Sequence, residues 1–69
     1  MPERKKLLCL AVGMSLNIDE AQQLLKCAGY SQLYVKLPFD SIVLYGLCKE
    51  LSVLRINELL YEYGLETLG

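Results

Sequence analysis

The stretch Asn17 to Tyr34, NIDEAQQLLKCAGYSQLY, contains a helix start, a helix stop and an aromatic exit, and it limits what the rest of the chain can do. Asn17 reads as an N-cap whose side-chain oxygen accepts from the orphan amides of the first turn. Glu20, three residues on, reaches back to the cap's own amide, the arrangement of a capping box. Leu16 and Ala21 then stand at the hydrophobic-staple positions. Ala21, Leu24, Leu25 and Ala28 recur at helical spacing as one apolar face, while Asp19, Gln22, Gln23 and Lys26 point away. Gly29 stops the helix, because a left-handed residue after the last turn is cheap only without a Cβ. The following Tyr30-Ser31-Gln32-Leu33-Tyr34 is too aromatic for an ordinary solvated loop and is expected to fold back on the neighbouring helices.

Similar punctuation recurs on both sides. Arg4-Lys5-Lys6 followed by LLCLAVGMSL has the layout of a short secretory signal, but Leu7, Leu8, Ala11 and Met14 share one helical face. The run is also shorter than the ~20 residues a membrane span needs. It reads better as a first helix from about Glu3 to Val12, with Pro2 in its opening turn and Gly13 at its C-terminal end. Val35-Lys36-Leu37-Pro38-Phe39 is an irregular connector, and a third helix is expected from near Asp40 to Lys49-Glu50. Its stripe, Ile42, Val43, Tyr45, Gly46 and Leu47, is apolar nearly all round, which marks the most buried helix of the set. Gly46 would permit close approach of a neighbour. Ser52 caps a fourth helix, stapled by Leu51 and Ile56, with Val53, Ile56, Leu59, Leu60 and Tyr63 as its buried stripe and Gly64 as its stop. Leu65, Thr67 and Leu68 form an apolar tail expected to pack beneath it. No segment alternates as a strand would, so the fold class is all-α: one domain over residues 1 to 69, a small bundle of about four helices with a short aromatic turn between the second and third.

Composition then narrows the function. A 69-residue chain buries only about 60% of its unfolded surface. Its 54% hydrophobic residues, counted without glycine, exceed the roughly 45 to 50% that average chains reach with glycine included. Part of that apolar surface must therefore face outward, which predicts a homo-oligomer or a docking face for another protein. A net charge of -1 gives no field to attract nucleic acid or an anionic membrane. Cys9, Cys27 and Cys48 are odd in number, widely spaced and without any histidine, which points to a reducing, cytoplasmic setting with the thiols packed in the core rather than on a metal. Catalytic chemistry is equally thin. Asp19, Glu20, Glu58, Glu62 and Glu66 sit where caps and exposed helix faces want acids, and Glu58 with Glu62 lacks the ligands from other helices that a bundle metal site needs. No catalytic residue, cofactor or metal is expected, and the chain is read as a non-enzyme.

Ala28-Gly29-Tyr30-Ser31-Gln32-Leu33-Tyr34, then Asp40-Ser41-Ile42-Val43, then Ile56-Asn57-Glu58-Leu59-Leu60-Tyr61-Glu62-Tyr63-Gly64-Leu65, resembles the C-terminal region of helix-turn-helix regulators of the XRE (Cro/repressor-like) type from Firmicutes and their mobile elements. Pro2 to Leu8 resembles the start of the last helices of such proteins, so the resemblance spans nearly the whole chain. It implies an all-α protein-binding or self-association module involved in transcription regulation, with the DNA-reading helices upstream of Pro2 and outside this chain. Where these regulators carry a proline after the Leu-Tyr pair and a basic residue before the aspartate, this chain has Val35 and Phe39. That change adds apolar surface to the corner of Leu33, Tyr34, Leu37 and Phe39, the candidate partner-binding residues. Leu33 and Leu37 are expected to turn inward, with Tyr34 and Phe39 facing a partner. Two alternatives remain: a small phage or mobile-element inhibitor that binds a host defence protein, and a DNA-binding regulator in its own right. The latter would use Asp19 to Ala28 and a recognition helix from Ser31 onward, but Pro38 interrupts that helix and Lys36 is its one cation. Arg4, Lys5 and Lys6 are the candidate phosphate contacts, sufficient at most for weak, non-specific binding.

Overall fold

A computed structural model describes residues 4–68, which form an all-α bundle of four helices: α1 (Arg4–Gly13), α2 (Ile18–Cys27), α3 (Pro38–Cys48) and α4 (Val53–Glu62). The expected start of the first helix at Glu3, with Pro2 in its opening turn, lies outside the described residues. Local chemistry sets the other boundaries. Asn17 Oδ1 accepts from the Glu20 amide at 2.8 Å while Glu20 Oε1 accepts from the Asn17 amide at 3.0 Å, completing the capping box of α2. Ser52 Oγ accepts from the Arg55 amide at the start of α4. By contrast α3 begins two residues before Asp40, at Pro38, with an extended Leu37 as a cap that makes no side-chain bond. Proline's fixed φ and missing N–H suit a first helical position and replace a side-chain cap there.

All four helices end alike. An apolar residue past each end, Leu16, Tyr30, Leu51 or Leu65, donates its amide to a carbonyl five residues back, and the residue before it is left-handed. This is the Schellman closure. Glycine fills that position after α2 and α4, but Ser15 and Glu50, each with φ 56°, fill it after α1 and α3. Gly13, expected to stop the first helix, is its last helical residue instead.

Those left-handed residues reveal an internal duplication. Ser15 and Glu50 stand 35 positions apart, as do Gly29 and Gly64. At the same spacing Leu16, Leu24, Leu25 and Leu33 match Leu51, Leu59, Leu60 and Leu68, and buried Leu8, Ala11, Val12 and Ala21 match buried Val43, Gly46, Leu47 and Ile56. Even a side-chain clamp repeats. Gln22 Oε1 and Nε2 take the amide and carbonyl of Leu33 at 2.7 and 3.1 Å, and Asn57 Oδ1 and Nδ2 take those of Leu68 at 2.7 and 3.2 Å. Each clamp pins an apolar residue 11 positions downstream back onto the core, so two backbone groups that would otherwise be buried unpaired are satisfied.

The two hairpins pack as a closed pair. α1 lies on α2 and α3 on α4, and across the junction α1 touches both α3 and α4 while α2 touches α3. Exchanging the hairpins leaves that set of neighbours unchanged, which a two-fold relation explains and a linear stack of repeats does not. A small cavity lined by Val12, Ser15, Leu16, Leu47, Glu50 and Leu51 comprises three pairs of equivalent residues, so the pseudo-axis passes through it. Around that axis sits the core of Leu8, Ala11, Val12, Ala21, Leu25, Leu33, Val43, Leu47, Ile56, Leu60 and Leu68.

Several expectations about burial are corrected. Met14, Ala28, Tyr45 and Tyr63, which helical spacing puts on inward stripes, are exposed, because two thin hairpins cover only the inner face of each helix. Cys9 is half-buried and packs against the core as expected, but Cys27 and Cys48 are exposed; they end α2 and α3, where the chain turns outward to begin its closure.

Candidate functional site

The first candidate is the corner between the hairpins. Leu33 is buried beneath the Gln22 clamp as expected, and Tyr34 is exposed. The other two residues exchange roles: Leu37 is exposed, whereas Phe39 is half-buried against the core. The early start of α3 is the reason. With Pro38 as the first helical residue, Phe39 falls in the opening turn and packs against the core, and Leu37 is left extended outside it. Truncating Phe39 therefore reports on folding before it reports on docking.

Beneath the corner lies a polar knot that no local pattern announced. Asp40 is the one buried charged residue among the described residues, and Arg4 grips it with both ends of its guanidinium, Nη1 to Oδ1 and Nη2 to Oδ2, each at 3.1 Å. Arg4 Nε also donates to the Ser31 carbonyl at 3.0 Å and Nη2 to that of Gln32 at 3.3 Å. Asp40 Oδ2 accepts from the Tyr34 amide at 3.0 Å. A cation at the positive end of α1 is unfavourable unless it meets an anion, and Asp40, in the first turn of α3 where a carboxylate is favoured, is that anion. The knot thus ties the start of α1, the start of α3 and the connector together. Of the candidate phosphate contacts, Arg4 is engaged in this knot and Lys5 pairs with Glu66. Lys6 is exposed. The segment 31–37 is not helical, so the alternative recognition helix from Ser31 onward is not formed.

The second candidate was not anticipated. An apolar groove of about 640 Å³ runs between α3 and α4, lined by Pro38, Ser41, Ile42, Tyr45, Leu59, Tyr63 and Leu65. Tyr45 and Tyr63 form its exposed walls, 53% and 71% accessible. Helical periodicity placed both tyrosines in the core and so hid the groove. The signal that could have found it is the 35-residue repeat, which sets Tyr45 against Leu10 and Tyr63 against Ala28. On the far side of α4, exposed Leu54 and Tyr61 stand opposite Asp19 and Lys26. The first hairpin folds with small or charged residues at three of these four positions, so the bulk in the second is not a requirement of the fold.

No group of three or more metal-ligating side chains occurs among the described residues, and none of their helices is long and apolar enough to cross a membrane. No family model matches the chain, and no curated protein or solved structure matches it.

Proposed function

We propose that this chain is a non-enzymatic, cytoplasmic protein-binding module, in keeping with the regulator-type C-terminal domains it resembles in sequence. The observation that carries the reading is the α3–α4 groove, whose apolar floor is walled by exposed Tyr45 and Tyr63, the latter standing where the first hairpin folds with Ala28. Tyrosine supplies large contact area for two frozen torsions and is enriched at the centres of interfaces. A photo-crosslinking residue placed at Tyr63 in the expressed chain tests this. Crosslinks to protein are expected from position 63 and not from Lys26, an exposed position on the other hairpin whose equivalent, Tyr61, lies on the far side of α4 from the groove. Equal labelling from both positions, or none from either, would count against the groove.

DNA is expected to play little part. With Arg4 and Lys5 engaged within the chain, binding to duplex should be weak, indifferent to sequence and lost at moderate salt, since few phosphates can be neutralised. Footprinting over a range of sequences and salt concentrations checks this, and protection of a defined site would overturn it.

A further inference from the structure

We propose that copies of this chain exchange hairpins: the turn between α2 and α3 opens, and the second hairpin of each copy closes on the first hairpin of the other, giving a two-fold dimer. The inference stands apart from the groove and rests on the inner faces of the hairpins. The core is one cluster drawn from both hairpins, and a unit of under about 40 residues seldom folds without help. Each hairpin therefore needs the other, but nothing in the contacts between them requires that both belong to one copy. The packing of α1 on α3 and α4, and of α2 on α3, is reproduced unchanged after exchange. Arg4 of one copy then grips Asp40 of the other through the same pair of bonds. Exchange of an identical element is a low-cost route to a dimer for this reason.

The turn itself favours opening. Residues 31–33 are fixed to the first hairpin, where Arg4 holds the Ser31 and Gln32 carbonyls and Gln22 clamps Leu33, and the second hairpin begins at Pro38. Between them the chain turns at Val35 and Lys36, with the Leu37 amide donating to the Tyr34 carbonyl at 3.0 Å. Neither residue is a turn former such as glycine, proline, asparagine, aspartate or serine, and β-branched Val35 favours extended backbone. Leu37 is already extended, with φ -89° and ψ 130°, as a residue before proline prefers. Straightening Val35 and Lys36 therefore converts the turn into an extended link. Tyr34, Val35 and Leu37 are 52%, 65% and 51% accessible, so the closed turn leaves three large apolar side chains facing water. In the dimer the two opened links run antiparallel past each other across the new axis, where these side chains cover one another. That burial belongs to the dimer alone, and it opposes the advantage of a tethered hairpin. A short tether holds its own hairpin at an effective concentration on the order of millimolar, so exchange is expected at comparable chain concentrations. The residues lining the α3–α4 groove all follow the hinge, so each groove stays whole and the dimer carries both.

The test is to refold the full chain from urea at millimolar and at about a hundredfold lower concentration, then size both samples at the same dilution by sedimentation velocity. The concentrated sample is expected to keep its dimer after dilution, because exchanged hairpins separate only by unfolding, while the dilute sample gives monomer. Inserting about five glycine and serine residues between Val35 and Lys36 lets the chain close without the turn, and should lower the dimer fraction about tenfold. Chains carrying Arg4→Ala and Asp40→Ala are then refolded separately and together. An exchanged pair of these unlike chains contains one hairpin couple with Arg4 and Asp40 both intact, so the mixture should give about tenfold more dimer than either variant alone. Monomer from both wild-type samples overturns the proposal. So does a dimer that re-equilibrates on dilution, or a mixture no better than its components, since the copies would then meet through outer surfaces. None of these readings depends on the groove, whose crosslinking from position 63 succeeds or fails separately.

Discussion

Replacing Arg4 by alanine is expected to cost about 3 to 5 kcal/mol of folding free energy, the range for stripping one partner from a buried ion pair. The Asp40 side chain is 3% accessible and that of Arg4 25%, so the loss would leave a carboxylate shut away from water with the Tyr34 amide as its remaining donor among the described residues. The same change frees the Ser31 and Gln32 carbonyls, but these lie in exposed residues where water replaces the guanidinium at little cost. A single core this small supplies only about 3 to 5 kcal/mol in total, so the variant should be largely unfolded at 25 °C. Urea denaturation followed by circular dichroism measures the loss. Asp40→Ala in the Arg4→Ala background then separates the pair from its surroundings. Removing the stranded charge should return part of the stability, giving a coupling above about 1 kcal/mol. A cost under about 1 kcal/mol with no coupling would mean the pair behaves as a solvated surface contact.

The knot also shows where reading the chain succeeds and where it stops. Asn17 with Glu20, Ser52, Gly29 and Gly64 act within one turn of themselves, so their roles were legible from spacing and the helices they bound formed as expected. Asp40 and Arg4 are 36 positions apart, and nothing near either residue says that they meet. The prediction that α3 starts near Asp40 took that residue for a helix opener, although Pro38 already supplied one. From that two-residue error follows the exchange of Leu37 and Phe39, since the earlier start draws Phe39 into the first turn and leaves Leu37 as the extended cap. Periodicity failed differently at Tyr45 and Tyr63. An apolar residue on an inward stripe is buried only if something lies over it, and at the margin of a two-hairpin bundle nothing does. The cysteines repeat the lesson: Cys27 and Cys48 fit a helical stripe but sit where the helix is already leaving the core. The sequence also holds the 35-residue register, which separates residues the fold requires from residues it merely tolerates.

That register makes a second large effect predictable at the centre of the bundle. Gly46 on α3 is buried, and a Cβ added there would come within 2.4 Å of Ile56 Cδ1 and 2.5 Å of Cγ1. Gly46→Ala must therefore push Ile56 off its rotamer or spread α3 from α4, overpacking that costs about 1 to 3 kcal/mol. Part of this is offset by the ~1 kcal/mol that alanine gains over glycine inside a helix. At the equivalent positions the first hairpin carries Ala11 and Ala21, both buried, so the same space is divided there as two small residues instead of none and one large. Ile56→Ala alone should cost about 2 to 5 kcal/mol, because it opens a cavity beside a glycine that cannot fill it. In that background the first substitution should reverse sign: Gly46→Ala would then stabilise, since its methyl enters vacated space and its helix propensity is no longer opposed. A double-mutant cycle from chemical denaturation reads the reversal directly. If Gly46→Ala costs the same with and without Ile56, the two residues do not share one space, and the glycine is present for some reason other than the close crossing of α3 and α4.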